Sequence, residues 1–154
     1  MTRRSRRIWL GIVTALYLAG AIVIGFWPTP VDRGIDGQID GVLAFLHRGG
    51  LPLAFDYQAL EFTANVCFFI PVGLLLCLEL RPRLWFLAVL AGVLLSGGIE
   101  LSQLLLLPAR YASWNDIAAN TIGTCIGVLL VLIARGVRHA RVRRRYSSGP
   151  NSLR

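Results

Sequence analysis

The sequence predicts an all-α fold: a polytopic membrane protein built as a four-helix transmembrane bundle, with a short amphipathic helix in the first extracytoplasmic loop. Three observations carry this. Of the 154 residues, 55% are hydrophobic and mean hydropathy is +0.62. Charged residues are 16% of the chain, against roughly 25% in soluble domains. The charge is also segregated, so that four long apolar runs alternate with short polar patches. At about 1.5 Å rise per residue, about twenty apolar residues cross a hydrocarbon core of roughly 30 Å.

The whole chain, 1–154, reads as one membrane domain, with spans at about 8–27, 59–80, 84–107 and 116–134 and a basic tail over 135–154. The first run follows a leader with Arg3, Arg4, Arg6 and Arg7 and closes at Pro28 and Pro30. A cleaved signal peptide is the alternative, with a faint twin-arginine pattern. The run continues through Ile22, Val23, Ile24, Phe26 and Trp27, which is too long for an ordinary signal core.

The connection that follows holds Ile35, Ile39, Val42, Leu43 and Leu46 at helical spacing, with Asp36, Gln38 and Asp40 between them. It reads as an amphipathic helix lying on the membrane surface and ending at Gly49-Gly50. His47 near its end is expected to be solvated. In the second span Pro71 removes a helix hydrogen bond and should bend the segment, while Gly73 admits a close neighbour. Glu79 is expected to pair with Arg81 or Arg83. Arg81-Pro82-Arg83 is a tight basic turn into the third span. The tail should be disordered towards its end.

Orientation follows from the arginines. Thirteen of the 16 fall in the leader, the Arg81/Arg83 turn and the tail, all on one side of a four-span path; the other side has Arg33, Arg48 and Arg110. Positive charge marks the cytoplasmic side, so both termini are expected in the cytoplasm of a bacterial cell and the protein in its inner membrane. The net charge of +8 is therefore a membrane signal, and nucleic acid is excluded because no soluble basic domain remains. Membrane lipids are the expected partners. Cys67, Cys77 and Cys125 all lie in apolar runs and read as fillers, with no metal-ligand spacing. No motif calls for a cofactor.

Polar side chains inside the spans single out a site. Asn65 lies in span two, Glu100 and Gln103 in span three, Asp116 and Asn120 at the start of span four, and Arg110 in the turn between the last two. Glu100 and Gln103 are three residues apart and Asp116 and Asn120 four apart, so each pair shares a helix face. An ionisable group in a span costs roughly 2.5–3.5 kcal/mol and normally faces protein or water. These six are the candidate ligand-binding residues, expected to converge between spans two, three and four, and Glu100 is the candidate catalytic acid or base. Plainer roles stand beside these. Asp116 fits a helix-capping box with Ser113, and the two asparagines can serve as interhelical hydrogen bonds. Gly123 and Gly127 form a G-x-x-x-G step for close packing.

At these residues the chain resembles the VanZ-like family of small bacterial membrane proteins. The resemblance rests on Asn65 with Phe69-Ile70-Pro71-Val72-Gly73, on Glu100-Leu101-Ser102-Gln103, on Arg110, and on Asp116 with Asn120-Thr121-Ile122-Gly123. It covers about residues 65–127, and nothing carries over onto His47. It implies a cell-envelope role associated with resistance to teicoplanin-type glycopeptides, with a lipid-linked cell-wall precursor or the glycopeptide as candidate partner. The alternatives are an enzyme acting on lipid-linked envelope precursors and an accessory subunit of a transporter.

Overall fold

Each apolar run becomes a helix, because only internal hydrogen bonding can satisfy backbone amides in lipid. The computed structural model describes residues 2–26, 34, 36–106 and 113–147. In chain order these are α1 (Arg3–Gly25), α2 (Asp36–Arg48), α3 (Tyr57–Glu79), a 3-10 turn at Pro82–Leu84, α4 (Trp85–Leu106) and α5 (Trp114–Ser147). The described residues contain no strand. Helices α1, α3, α4 and α5 are each long and apolar enough to cross a membrane. Only 17% to 39% of their most apolar windows is buried inside the protein, so lipid must cover the remainder of this multi-pass membrane protein.

Local chemistry sets the ends. The Thr2 hydroxyl caps α1 by accepting from the Ser5 amide at 3.2 Å, and the Asp56 carboxylate caps α3 by accepting from Ala59 at 3.0 Å. α2 stops where Gly50 adopts φ +103°. The Leu51 amide then reaches back to Leu46 and the Gly50 amide to His47, which together form a Schellman cap. His47 is also tied down, donating from Nε2 to the Phe55 carbonyl at 3.0 Å.

α3 and α5 run parallel and form the closest pair, because three glycines let their backbones touch. A Cβ at Gly73 would strike the Thr124 carbonyl, one at Gly123 the Val66 carbonyl, and one at Gly127 the Ile70 carbonyl. Helix association in lipid rests on this kind of close packing, since apolar burial alone does not distinguish a neighbouring helix from an acyl chain. α4 lies antiparallel to α5 in an even register. Ala88 and Val128 share an apolar core with Cys77 and Val131. One turn along, Gly92 faces Thr124; one turn further, Ser96 meets Asn120. α1 packs against α3 through Tyr17, whose hydroxyl donates to the Phe68 carbonyl at 2.8 Å and whose ring lies 5.7 Å from that of Phe68. This bond sits beside Pro71, which deprives the Cys67 carbonyl of its helical donor; α3 nevertheless continues through it.

Two features differ from the sequence expectation. The basic segment after residue 135 is helical as far as Ser147, continuing α5. Arg135 is half-buried, and its Nη2 donates to the carbonyls of Cys77 at 2.9 Å and Leu80 at 3.1 Å, where α3 ends. Glu79 is paired with neither Arg81 nor Arg83 among the described residues; it accepts from the Thr14 hydroxyl of α1 at 3.5 Å. A basic side chain from another helix has taken the α3 terminus, where carbonyls favour positive charge.

Candidate functional site

The end of the bundle opposite the arginine-rich start of α1 and end of α5 carries a polar layer. Glu100 comes from α4, six residues before its end, or about 9 Å in. Its Oε2 accepts from the Ser113 amide at 2.7 Å, and the side chain is 5% exposed. Ser113 immediately precedes α5, so the carboxylate sits at a helix N-terminus, where free amides and the macrodipole favour an anion. In the reciprocal capping box expected of Ser113 and Asp116, this amide would bond to Asp116. Glu100 from a different helix holds it instead.

Asp116 bonds across to α3, accepting from Asn65 Nδ2 at 2.9 Å. Asn120, one turn deeper on the same face, donates from Nδ2 to Ser96 Oγ at 2.9 Å, and its carbonyl accepts from the Thr124 hydroxyl at 2.8 Å. Asn120 Oδ1 is buried with no hydrogen-bond partner among the described residues. Ser96 lies one turn before Glu100, so the α4–α5 seam runs from carboxylate through hydroxyl and amide to the Gly92–Thr124 contact as it deepens.

Gln103 departs from the expected convergence. Its Nε2 donates to the Gly25 carbonyl at 2.9 Å, so it faces the C-terminal end of α1. Gly25 and Ile99 explain why it fits there. A Cβ at Gly25 would lie 2.7 Å from Ile99 Cγ2, so the glycine lets α4 approach α1 one turn below Gln103. The polar layer therefore joins all four spans rather than three. Arg110 lies outside the described residues. Around the start of α5 the structure pairs Asn65 with Asp116, Glu100 with the Ser113 amide and Asn120 with Ser96.

Two participants were missed from sequence. Ser96 is readable in retrospect, because it shares the α4 face of Glu100 at a spacing of four. Ser113 contributes its backbone amide, which no side-chain pattern reveals. Each bond in this layer satisfies a helix terminus or a buried polar group that lipid would leave unpaired. Chemically the layer offers carboxylates and amides held rigidly near one membrane boundary. Among the described residues no cluster of His, Cys, Asp and Glu could hold a metal ion.

A family model described as VanZ/LLP1 matches residues 14–135. The chain belongs to the VanZ/LLP1 family. No curated protein and no solved structure matches it. The VanZ/LLP1 match extends well beyond the resemblance at residues 65–127: it takes in most of α1, including Tyr17 and Gly25, and reaches Arg135. It thus covers every interhelical bond of the polar layer and the residue that holds the other end of α3. The basic helix beyond Arg135 lies outside it.

Proposed function

We propose that this VanZ/LLP1 protein acts at the outer face of the bacterial cytoplasmic membrane, where it modulates the envelope and lowers susceptibility to acyl-tailed glycopeptides such as teicoplanin. The observation that supports this reading is the separation of charge along the bundle. The exposed arginines of the α1 start, the α3–α4 turn and the α5 end gather at one end, and buried Glu100 with its amide partners lies towards the other. With arginines on the cytoplasmic side, both termini are inside and the polar layer stands within the outer leaflet, the leaflet where a lipid-anchored drug and a lipid-linked precursor both reside. Membrane lipids are its immediate partners, and the precursor or the glycopeptide is the candidate ligand of Asn65, Glu100, Gln103, Arg110, Asp116 and Asn120.

The test is expression in a susceptible bacterial host, with growth inhibition measured for an acyl-tailed glycopeptide and for one without the tail. Protection against the tailed drug alone is expected. Equal protection against both, or none with the protein present in the membrane, refutes the proposal. A second reading, an enzyme acting on lipid-linked envelope precursors, is favoured by the burial of an ionisable side chain at a helix N-terminus. Glu100→Gln addresses it: an enzyme using Glu100 as acid or base loses turnover of the precursor pool while the variant folds normally.

A further inference from the structure

The arginine-bearing end holds a second feature, carried by the length of α5. This helix has 34 residues, hence about 51 Å, against a hydrocarbon core of roughly 30 Å. Its depth is pinned from the side. Arg135 donates to the carbonyls of Cys77 and Leu80, and the chain turns back immediately afterwards through Arg81 and Pro82. The height of Arg135 is therefore the height at which α3 ends and α4 begins. Residues 136–147 continue as helix beyond that level for roughly 18 Å.

The described side chains of this extension are open to their surroundings. Every residue from 136 to 143 is exposed. No Asp or Glu follows Asp116 anywhere in the chain, so Arg138, Arg141 and Arg143 have no acidic neighbour on their own helix. Like charges three or four residues apart, as at Arg138 and Arg141, disfavour a helix. A countercharge from outside the chain would remove that penalty.

The distribution of arginines selects the source. At about 100° per residue, Arg138 and Arg141 fall on one side of α5 while Arg143 lies roughly 140–160° away. A protein docked on the helix would cover one side and leave the other charged face bare. A layer of headgroups surrounds a helix that passes through it. The heights agree: Arg138 lies about 4–5 Å and Arg141 about 9 Å past Arg135, within the polar layer of the bilayer once the reach of an arginine stem is added. Arg81 and Arg83, both exposed, stand in the neighbouring turn.

We propose that residues 136–147 form a helix that passes out through the headgroup layer of the leaflet at this end, with Arg138, Arg141 and Arg143 binding the phosphates of anionic phospholipids around its circumference. Guanidinium groups suit phosphate oxygens through paired, charge-assisted hydrogen bonds. The assignment does not depend on the function proposed for the opposite end.

Amide hydrogen exchange on the full chain tests it, comparing lipid nanodiscs of pure phosphatidylcholine with discs containing about a third phosphatidylglycerol. The amides of 136–147 should exchange roughly tenfold or more slowly in the anionic discs. The combined variant Arg138→Gln, Arg141→Gln and Arg143→Gln should abolish that difference while residues 119–131 keep their protection. Inorganic phosphate added to the protein in neutral detergent should not reproduce the slowing. Equal exchange in both discs, or a triple variant that still responds to phosphatidylglycerol, overturns the proposal. Protection found in native membranes but in neither disc also overturns it and assigns the helix to a protein partner.

Discussion

Adding one methyl group to the α3–α5 interface should separate the two helices. In Gly123→Ala, the new Cβ would strike the Val66 carbonyl and lie 3.0 Å from Phe69 Cβ. In Gly127→Ala, it would strike the Ile70 carbonyl and lie 2.6 Å from the Leu74 amide nitrogen. The obstructing atoms include backbone, which no rotamer change can clear. Carbon–oxygen contacts of this type settle near 3.3–3.6 Å, so the helices must part by about 1 Å. A gap of that size forfeits about a quarter to a half of the dispersion energy across the seam. Overpacking of a tight core costs about 1–3 kcal/mol, and obstruction by backbone places both variants near the upper figure. Three kcal/mol corresponds to a change of roughly 150-fold in the folding equilibrium. Reversible unfolding in mixed micelles reads this directly. Gly98→Ala and Gly136→Ala are the controls, since nothing lies within 4 Å of the added atom at either site. They should stay within about 0.5 kcal/mol of the parent. If Gly123→Ala and Gly127→Ala unfold with the controls, the close parallel packing of α3 on α5 is wrong.

Three further outcomes are expected. Glu100→Gln keeps an acceptor for the Ser113 amide and should cost about 0.5–1 kcal/mol, whereas Glu100→Ala strands that amide and should cost about 1–3 kcal/mol, both read in the same unfolding assay. Arg135→Met removes two bonds to the α3 terminus and should cost about 2 kcal/mol, with Arg135→Lys recovering part of it; equal stability of Met and Lys variants would show that the carbonyls do not need the charge. In intact cells, an impermeant thiol reagent should label a cysteine placed at position 53 and not one placed at 82 or 145, on a cysteine-free background; labelling at either of the latter overturns the proposed orientation.

Much of the fold was legible because lipid leaves the backbone few choices. Runs of about twenty apolar residues must become helices, and Arg81-Pro82-Arg83 cannot remain in one. The spacing of Ile39, Val42, Leu43 and Leu46 marked α2, whose end fell at Gly49-Gly50 as expected. The continuation of α5 was not legible, because a run of arginines in sequence reads as a solvated tail. Its first member, Arg135, is instead held by carbonyls of α3, fifty-five residues or more away in the chain.

By itself the sequence determined that this is a four-span bundle and which polar residues lie within its spans; helical periodicity then placed Glu100 with Gln103, and Asp116 with Asn120, on shared faces. Periodicity says nothing of which helix stands opposite a face. Tertiary structure decided that Glu100 meets the Ser113 amide, that Asp116 meets Asn65, and that Gln103 turns away to Gly25 of α1. The physical reason lies in the glycines. In lipid every apolar face is equally at ease, so the arrangement of helices follows from where backbones can touch. Gly73, Gly123 and Gly127 lock α3 to α5, Gly92 seats Thr124 against α4, and Gly25 admits Ile99. Once those contacts set the neighbours, each polar side chain bonds to whatever helix end or amide lies opposite it.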